Sequence, residues 1–149
     1  MKKGLKKWLF SVLDLLWLTF IYSNSLKNKA SSAAQSKPLQ DLIKPPLEAV
    51  GIKNDTDRIA ELIVRKGAHI AEFFLLTVLS ALALRAWGVS QKKSLWISAV
   101  FSVIAAGFDE IIQIYSNRGA ALGDVLVDSI GVFLGVTLLL LVYKKKNKK

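Results

Sequence analysis

The chain has 149 residues, a hydrophobic fraction of 52% and a formal net charge of +10, with a mean hydropathy of +0.39. A water-soluble domain of that length cannot hide so many apolar side chains in one core, so the composition points to a membrane protein. The basic excess lies at the ends of apolar segments and in the tails. It reads as a topology signal and an attraction for anionic lipid heads, not as a nucleic-acid surface. No cysteine is present, which excludes disulfide and thiol chemistry.

Four lysines lie within Met1–Lys7, and Trp8 to Leu26 follows with a single charge, Asp14. Its 19 residues suffice for a first span, because about 20 residues at ~1.5 Å each cross a ~30 Å hydrocarbon core. A cleaved signal peptide is the competing reading, given the basic start and the small residues at Ala33–Ala34. Asp14 inside the apolar run and the polar run Ser23–Lys29 weigh against cleavage. Residues 23–64 form a polar connection. Its opening, SNSLKNKASSAAQSKP, is loop-like; Pro38 to Ile52 predicts short helical pieces on the membrane surface, broken at Pro45–Pro46. Asn54, Asp55 and Thr56 are N-cap residue types. Ile59, Leu62 and Ile63 then continue at helical spacing into the second span.

The second span is expected over residues 67–87 and the third over 95–116. A short connection at Asn117–Arg118 leads to a fourth span over 119–143. The expected fold is therefore all-α: one domain over residues 1–149, an integral membrane four-helix bundle with an extracytoplasmic loop carrying short helices. Trp8, Trp87 and Trp96 sit where interfacial anchors belong, and Trp17 lies deeper. Four spans put both termini on one side. The N-terminal arm, the 87–95 connection and the tail carry basic residues with no acid among them, whereas the other face mixes basic residues with Asp41, Glu48, Asp55, Asp57 and Glu61. Both termini are expected in the cytoplasm.

Six of the 11 acidic residues fall within spans. His69 and Glu72 begin the second, Asp109, Glu110 and Gln113 end the third, and Asp124 and Asp128 begin the fourth, so all seven lie toward the outer membrane face beside Arg65, Lys66 and Arg118. Arg65, His69 and Glu72 share one helical stripe at steps of four and three. Ionisable groups in hydrocarbon pair with one another or line an aqueous path. The pattern predicts one outward-open polar pocket between the second, third and fourth spans, with Asp14 capping its floor. Gly131 and Gly135 share a stripe with Asp124 and Asp128, and their spacing allows a close helix approach. Asp109 and Glu110 point about 100° apart, so at most one is expected to face the same centre as Gln113.

Several carboxylates in low dielectric cannot all ionise together. Such a pocket can relay protons, perform acid–base chemistry, or bind a ligand bearing both charges. A salt-bridge network that only fixes helix packing is the plain structural alternative. No metal centre or cofactor is expected: the chain has one histidine, no cysteine and no H-E-x-x-H run.

At these residues the chain resembles the VanZ-like family of small bacterial membrane proteins, named for an accessory protein of glycopeptide resistance that raises tolerance to teicoplanin. An Arg-Lys-x-x-His-x-x-Glu-aromatic run is matched by Arg65, Lys66, His69, Glu72 and Phe73, and an Asp-Glu-x-x-Gln run by Asp109, Glu110 and Gln113. The third run is matched by Arg118, Asp124, Asp128, Gly131 and Gly135. Two positions depart from the pattern: Ser116–Asn117 stands for the family's frequent Pro-Gly, and Ile112 for its frequent His. The resemblance implies a multi-pass protein of the bacterial plasma membrane. Three functions follow as expectations. The first is a binder of a polar or zwitterionic head group, from a lipid or a cell-wall precursor, that lowers glycopeptide or lipoglycopeptide sensitivity. The second is an enzyme acting on a lipid-linked substrate, with Glu72 or Asp109 as base and Arg65 or Arg118 clamping an anion. The third is a proton-coupled transporter or its subunit, disfavoured because no inverted repeat is evident.

Overall fold

The computed structural model describes residues 3–116 and 122–146. Among these residues the chain is all-α, with five helices: α1 (Lys3–Ser25), α2 (Lys29–Ala49), α3 (Thr56–Ala86), α4 (Gln91–Tyr115) and α5 (Leu122–Lys146). Each of α3, α4 and α5 is long and apolar enough to cross a bilayer alone. Asp14 and the polar end at Ser23–Ser25 dilute α1, which qualifies only together with α2, and the pair is bent by 111°. Three helices therefore qualify as spans, or four if the bent pair counts as one.

Burial is inverted relative to a water-soluble domain. On α4, Ser94, Ser98, Ser102 and Asp109 are 0% exposed, while Val100, Ile104 and Phe108 are each more than half exposed. A helix surface of that kind calls for an apolar surrounding, as lipid provides, and not for water. The apolar core is correspondingly small, built on Ile21, Phe73, Leu76, Ala105, Ala106 and Val132.

The hub is α3, which packs against all four other helices. It joins the predicted N-capped helix and the second span in one piece of 31 residues. At ~1.5 Å per residue that is ~46 Å, more than a ~30 Å hydrocarbon core, so one end must project beyond the lipid. α1 runs antiparallel along it. Trp87 Nε1 donates to Ser11 Oγ (3.0 Å), Ser80 Oγ donates to Asp14 Oδ1 (2.7 Å), and Asn24 Nδ2 donates to Glu72 Oε1 (3.1 Å).

The segment expected as loop and broken pieces is one 21-residue helix, α2, containing Pro38, Pro45 and Pro46. Two local causes explain the difference. Asn28 is its N-cap, its side chain accepting from the Ser31 N–H. Alanines at 30, 33 and 34 favour the helix, and Pro45 and Pro46 stand so near its end at Ala49 that little helix follows the donors they remove. Packing on α3 holds the rest. Lys44 adds an exposed clasp, 2.5 Å from Asp57 and 2.9 Å from Asp41. Those two carboxylates push its ammonium up to about 12, although an exposed pair of this kind contributes little stability.

α5 meets α3 through its glycines. A Cβ at Gly131 would overlap the Ile70 carbonyl oxygen, and one at Gly135 would stand 3.0 Å from the Phe74 carbonyl oxygen. Gly67, by contrast, faces open space. Gly131→Ala should therefore lower stability by about 1–3 kcal/mol through overpacking. Gly67→Ala should be neutral or stabilise by up to ~1 kcal/mol through helix propensity. Thermal unfolding in detergent, followed by tryptophan fluorescence, measures both; equal midpoints for the two variants would refute the close approach.

Candidate functional site

The charged stripe of α3 is built by helix periodicity and answered from three neighbouring helices. Nearest the start of α5, Arg65 Nη2 and Lys66 Nζ donate to the two oxygens of Asp124, at 3.1 and 2.8 Å. One turn deeper, His69 Nδ1 lies 3.0 Å from Asp128 Oδ1 and 3.9 Å from Asp109 Oδ2. The register is parallel: residues 65 and 69 of α3 face residues 124 and 128 of α5, each 59 positions on.

Asp109 and Asp128 are 0% exposed, and His69 is 8% exposed. Burial at this level demands partners. Asp109 has them: Ser25 Oγ donates to Oδ1 (2.5 Å) and Gln113 Nε2 donates to Oδ2 (2.8 Å). Gln113 Nε2 also reaches Glu110 Oε1 at 3.3 Å. Gln113 thus reaches both carboxylates, of which Asp109 is the one that also lies 3.9 Å from His69. Gln113 sits three and four residues beyond them, which is the spacing that brings both neighbours onto its face. Asp128 is less well served, since its Oδ2 has no hydrogen-bond partner among the described residues.

Among the described residues the cavity at the charged end does not lie between the second, third and fourth spans, where the sequence implies it. It measures about 250 Å³ and opens between α1, α2 and α3. Lys27, Lys29 and Arg65 line it with Glu61, His69 and Glu72. Asp109, Glu110, Gln113, Asp124 and Asp128 are not in its lining; Asp109 and Asp128 adjoin it at His69, and Asp124 at Arg65. The bend of 111° between α1 and α2 sets α2 across the α1–α3 pair, and the cavity lies in the angle between them. Asp14 does not cap this cavity. It accepts from Ser80 and bounds a separate hollow with Ser11, Ser98 and Trp87, toward the end of the bundle that carries Lys7 and Trp8.

Sequence reasoning missed Asn24, Ser25 and Lys27. Asn24 bonds Glu72, Ser25 bonds Asp109, and Lys27 Nζ donates to Asn24 Oδ1 and Gln35 Oε1. The available signal was position: Ser23–Ser25 closes the first apolar run on the same face as the acidic residues. Arg118 lies outside the described residues.

The His69, Asp109 and Asp128 donor atoms lie within 4.8 Å of one another. A nitrogen and two oxygens at that separation can share one proton or hold one cation.

The profile of the VanZ/LLP1 family matches residues 8–143. An uncharacterized membrane protein of Bacillus subtilis (strain 168), YwnJ, is 30% identical over 90 residues, which is 60% of this chain and 59% of that protein's length. No solved structure gives a significant match. The matched region runs from the first apolar residues of α1 nearly to the end of α5 and takes in the whole charged cluster: the chain belongs to the VanZ/LLP1 family.

Proposed function

We propose that this protein crosses the bacterial plasma membrane four times, α1 included, with both termini in the cytoplasm. Its α1–α2–α3 cavity then opens outward and binds a polar or zwitterionic head group from a lipid or a cell-wall precursor. One observation carries the reading: the cavity sets three cationic side chains, Lys27, Lys29 and Arg65, around a wall that contains Glu72 and His69. Phosphate or carboxylate suits the first set and an ammonium group suits the second. A volume of about 250 Å³ suits a head group, with its acyl chain left in lipid. Occupying or shielding such a precursor is the route by which the protein would lower teicoplanin or lipoglycopeptide sensitivity.

A second reading, an enzyme acting on a lipid-linked substrate, draws on one feature. Glu72 and His69 both border the cavity, so a carboxylate and an imidazole stand beside whatever it holds.

Orientation is tested by single cysteines, since the chain has none. A membrane-impermeant maleimide should label Ala30→Cys in intact cells and Lys92→Cys only after permeabilisation. The reverse pattern rejects the outward cavity. Binding is tested on purified protein titrated with a lipid-linked peptidoglycan precursor, short-chain phosphatidylglycerol and short-chain phosphatidylethanolamine. The double variant Lys27→Ala/Lys29→Ala should lose at least about tenfold in affinity for one of them, as expected for losing charge-assisted contacts. Its melting temperature should stay near that of the parent. Unchanged affinity for all three removes the head-group reading. Turnover of the lipid-linked probe that Glu72→Gln abolishes, with binding intact, establishes the enzyme instead. In cells, deletion of the gene should lower the inhibitory concentration of teicoplanin, and the double variant should fail to restore it.

A further inference from the structure

We propose that His69, Asp109 and Asp128 bind a divalent transition-metal ion of the Zn²⁺ or Mn²⁺ type. The site adjoins the cavity at His69, and its test needs no cavity ligand.

The three residues come from α3, α4 and α5, so they converge only in the folded chain. Ligands ~2.1 Å from an ion stand ~3.0 Å apart at a right angle, ~3.4 Å apart in a tetrahedral arrangement and ~4.2 Å apart when opposite. His69 Nδ1 lies 3.0 Å from Asp128 Oδ1 and 3.9 Å from Asp109 Oδ2, in that range. An ion replaces the proton between imidazole and carboxylate, and only small side-chain shifts are required. Imidazole with carboxylates suits Zn²⁺ or Mn²⁺; Ca²⁺ needs six to eight oxygens, more than this group supplies.

An independent observation points to an occupant. Asp128 is 0% exposed, yet its Oδ2 has no partner among the described residues. A buried acceptor of that kind costs about 1–3 kcal/mol unless something answers it. A cation bound by the Asp128 carboxylate answers it. Charge balance agrees. Arg65 and Lys66 are engaged by Asp124, and among the described residues only His69 makes an ion pair with Asp109 or Asp128. One imidazolium cannot neutralise two buried carboxylates, whereas a doubly charged ion beside a neutral imidazole can. Ser25 and Gln113 fix both oxygens of Asp109, which is how ligand carboxylates are commonly oriented from outside the coordination sphere. A search for local motifs cannot find such a site, because its ligands are 40 and 19 positions apart in the chain.

The test uses the full chain, without a polyhistidine tag, stripped with chelator and dialysed separately against Zn²⁺, Mn²⁺ and Ca²⁺. Metal content should approach one Zn²⁺ or Mn²⁺ per chain, and the melting temperature should rise. Co²⁺ should give a visible absorption band. Asp128→Asn, nearly the same shape, should lose the ion and the band. Ser25→Ala, which leaves the three ligands in place, should weaken affinity by about 10–100-fold. Background metal content with no melting shift overturns the site, as does stoichiometric binding that Asp128→Asn leaves unchanged. If Asp128→Asn does not fold, full affinity in Ser25→Ala together with no Co²⁺ band in the parent also overturns it. A melting shift with Ca²⁺ alone rejects the transition-metal assignment.

Discussion

Everything at the charged end depends on how near α5 comes to α3. Packed helices ordinarily stand 8–10 Å apart, with side chains filling the gap. At Gly131 there is no side chain, and the Ile70 and Phe74 backbone occupies that space. One turn away, the same approach brings Asp128 to His69, and a further turn brings Asp124 to Arg65 and Lys66. Move α5 outward by the width of a methyl group and these pairs separate inside a medium that cannot solvate them. The glycines thus act on electrostatics through distance.

Side chains that determine folding in water have exchanged places here. Serines and carboxylates lie inside α4, and isoleucine, valine and phenylalanine cover its outside. Lipid provides no hydrophobic force to push helices together, so contact rests on close backbones and on polar groups that find each other. The cluster is therefore both the adhesive of the bundle and its candidate site. That is why a packing role and a binding role cannot be separated by burial alone, and why shape-preserving substitutions are the informative ones.

Features that follow from composition and period were legible in the chain. Three apolar spans, the stripe Arg65–His69–Glu72 and the Gly131–Gly135 pair depend only on residue type and helical spacing, and each sits where that spacing puts it. Features that depend on how elements lean together were not legible. Residues 29–49 contain three prolines and little apolar surface, so local preference argues against one helix; the Asn28 cap and the flank of α3 override it. The direction of α2 then determines where space remains, and the cavity follows α2 instead of α4 and α5. Ser25 was hidden for the same reason, since nothing local says that the end of α1 reaches Asp109.

One end of α3 is pinned. Trp8 packs edge-on against Trp87, with the Lys7 ammonium 4.4 Å from the Trp87 ring centre, a combination at home among lipid head groups. Trp87 follows His69 by 18 residues, or ~27 Å along a helix. With the tryptophans moored at one boundary, the histidine therefore lies just short of the opposite boundary of a ~30 Å core. The setting of the histidine thus varies with the bilayer: a thinner membrane would lift it among phosphates and water, and a thicker one would draw it under the acyl chains.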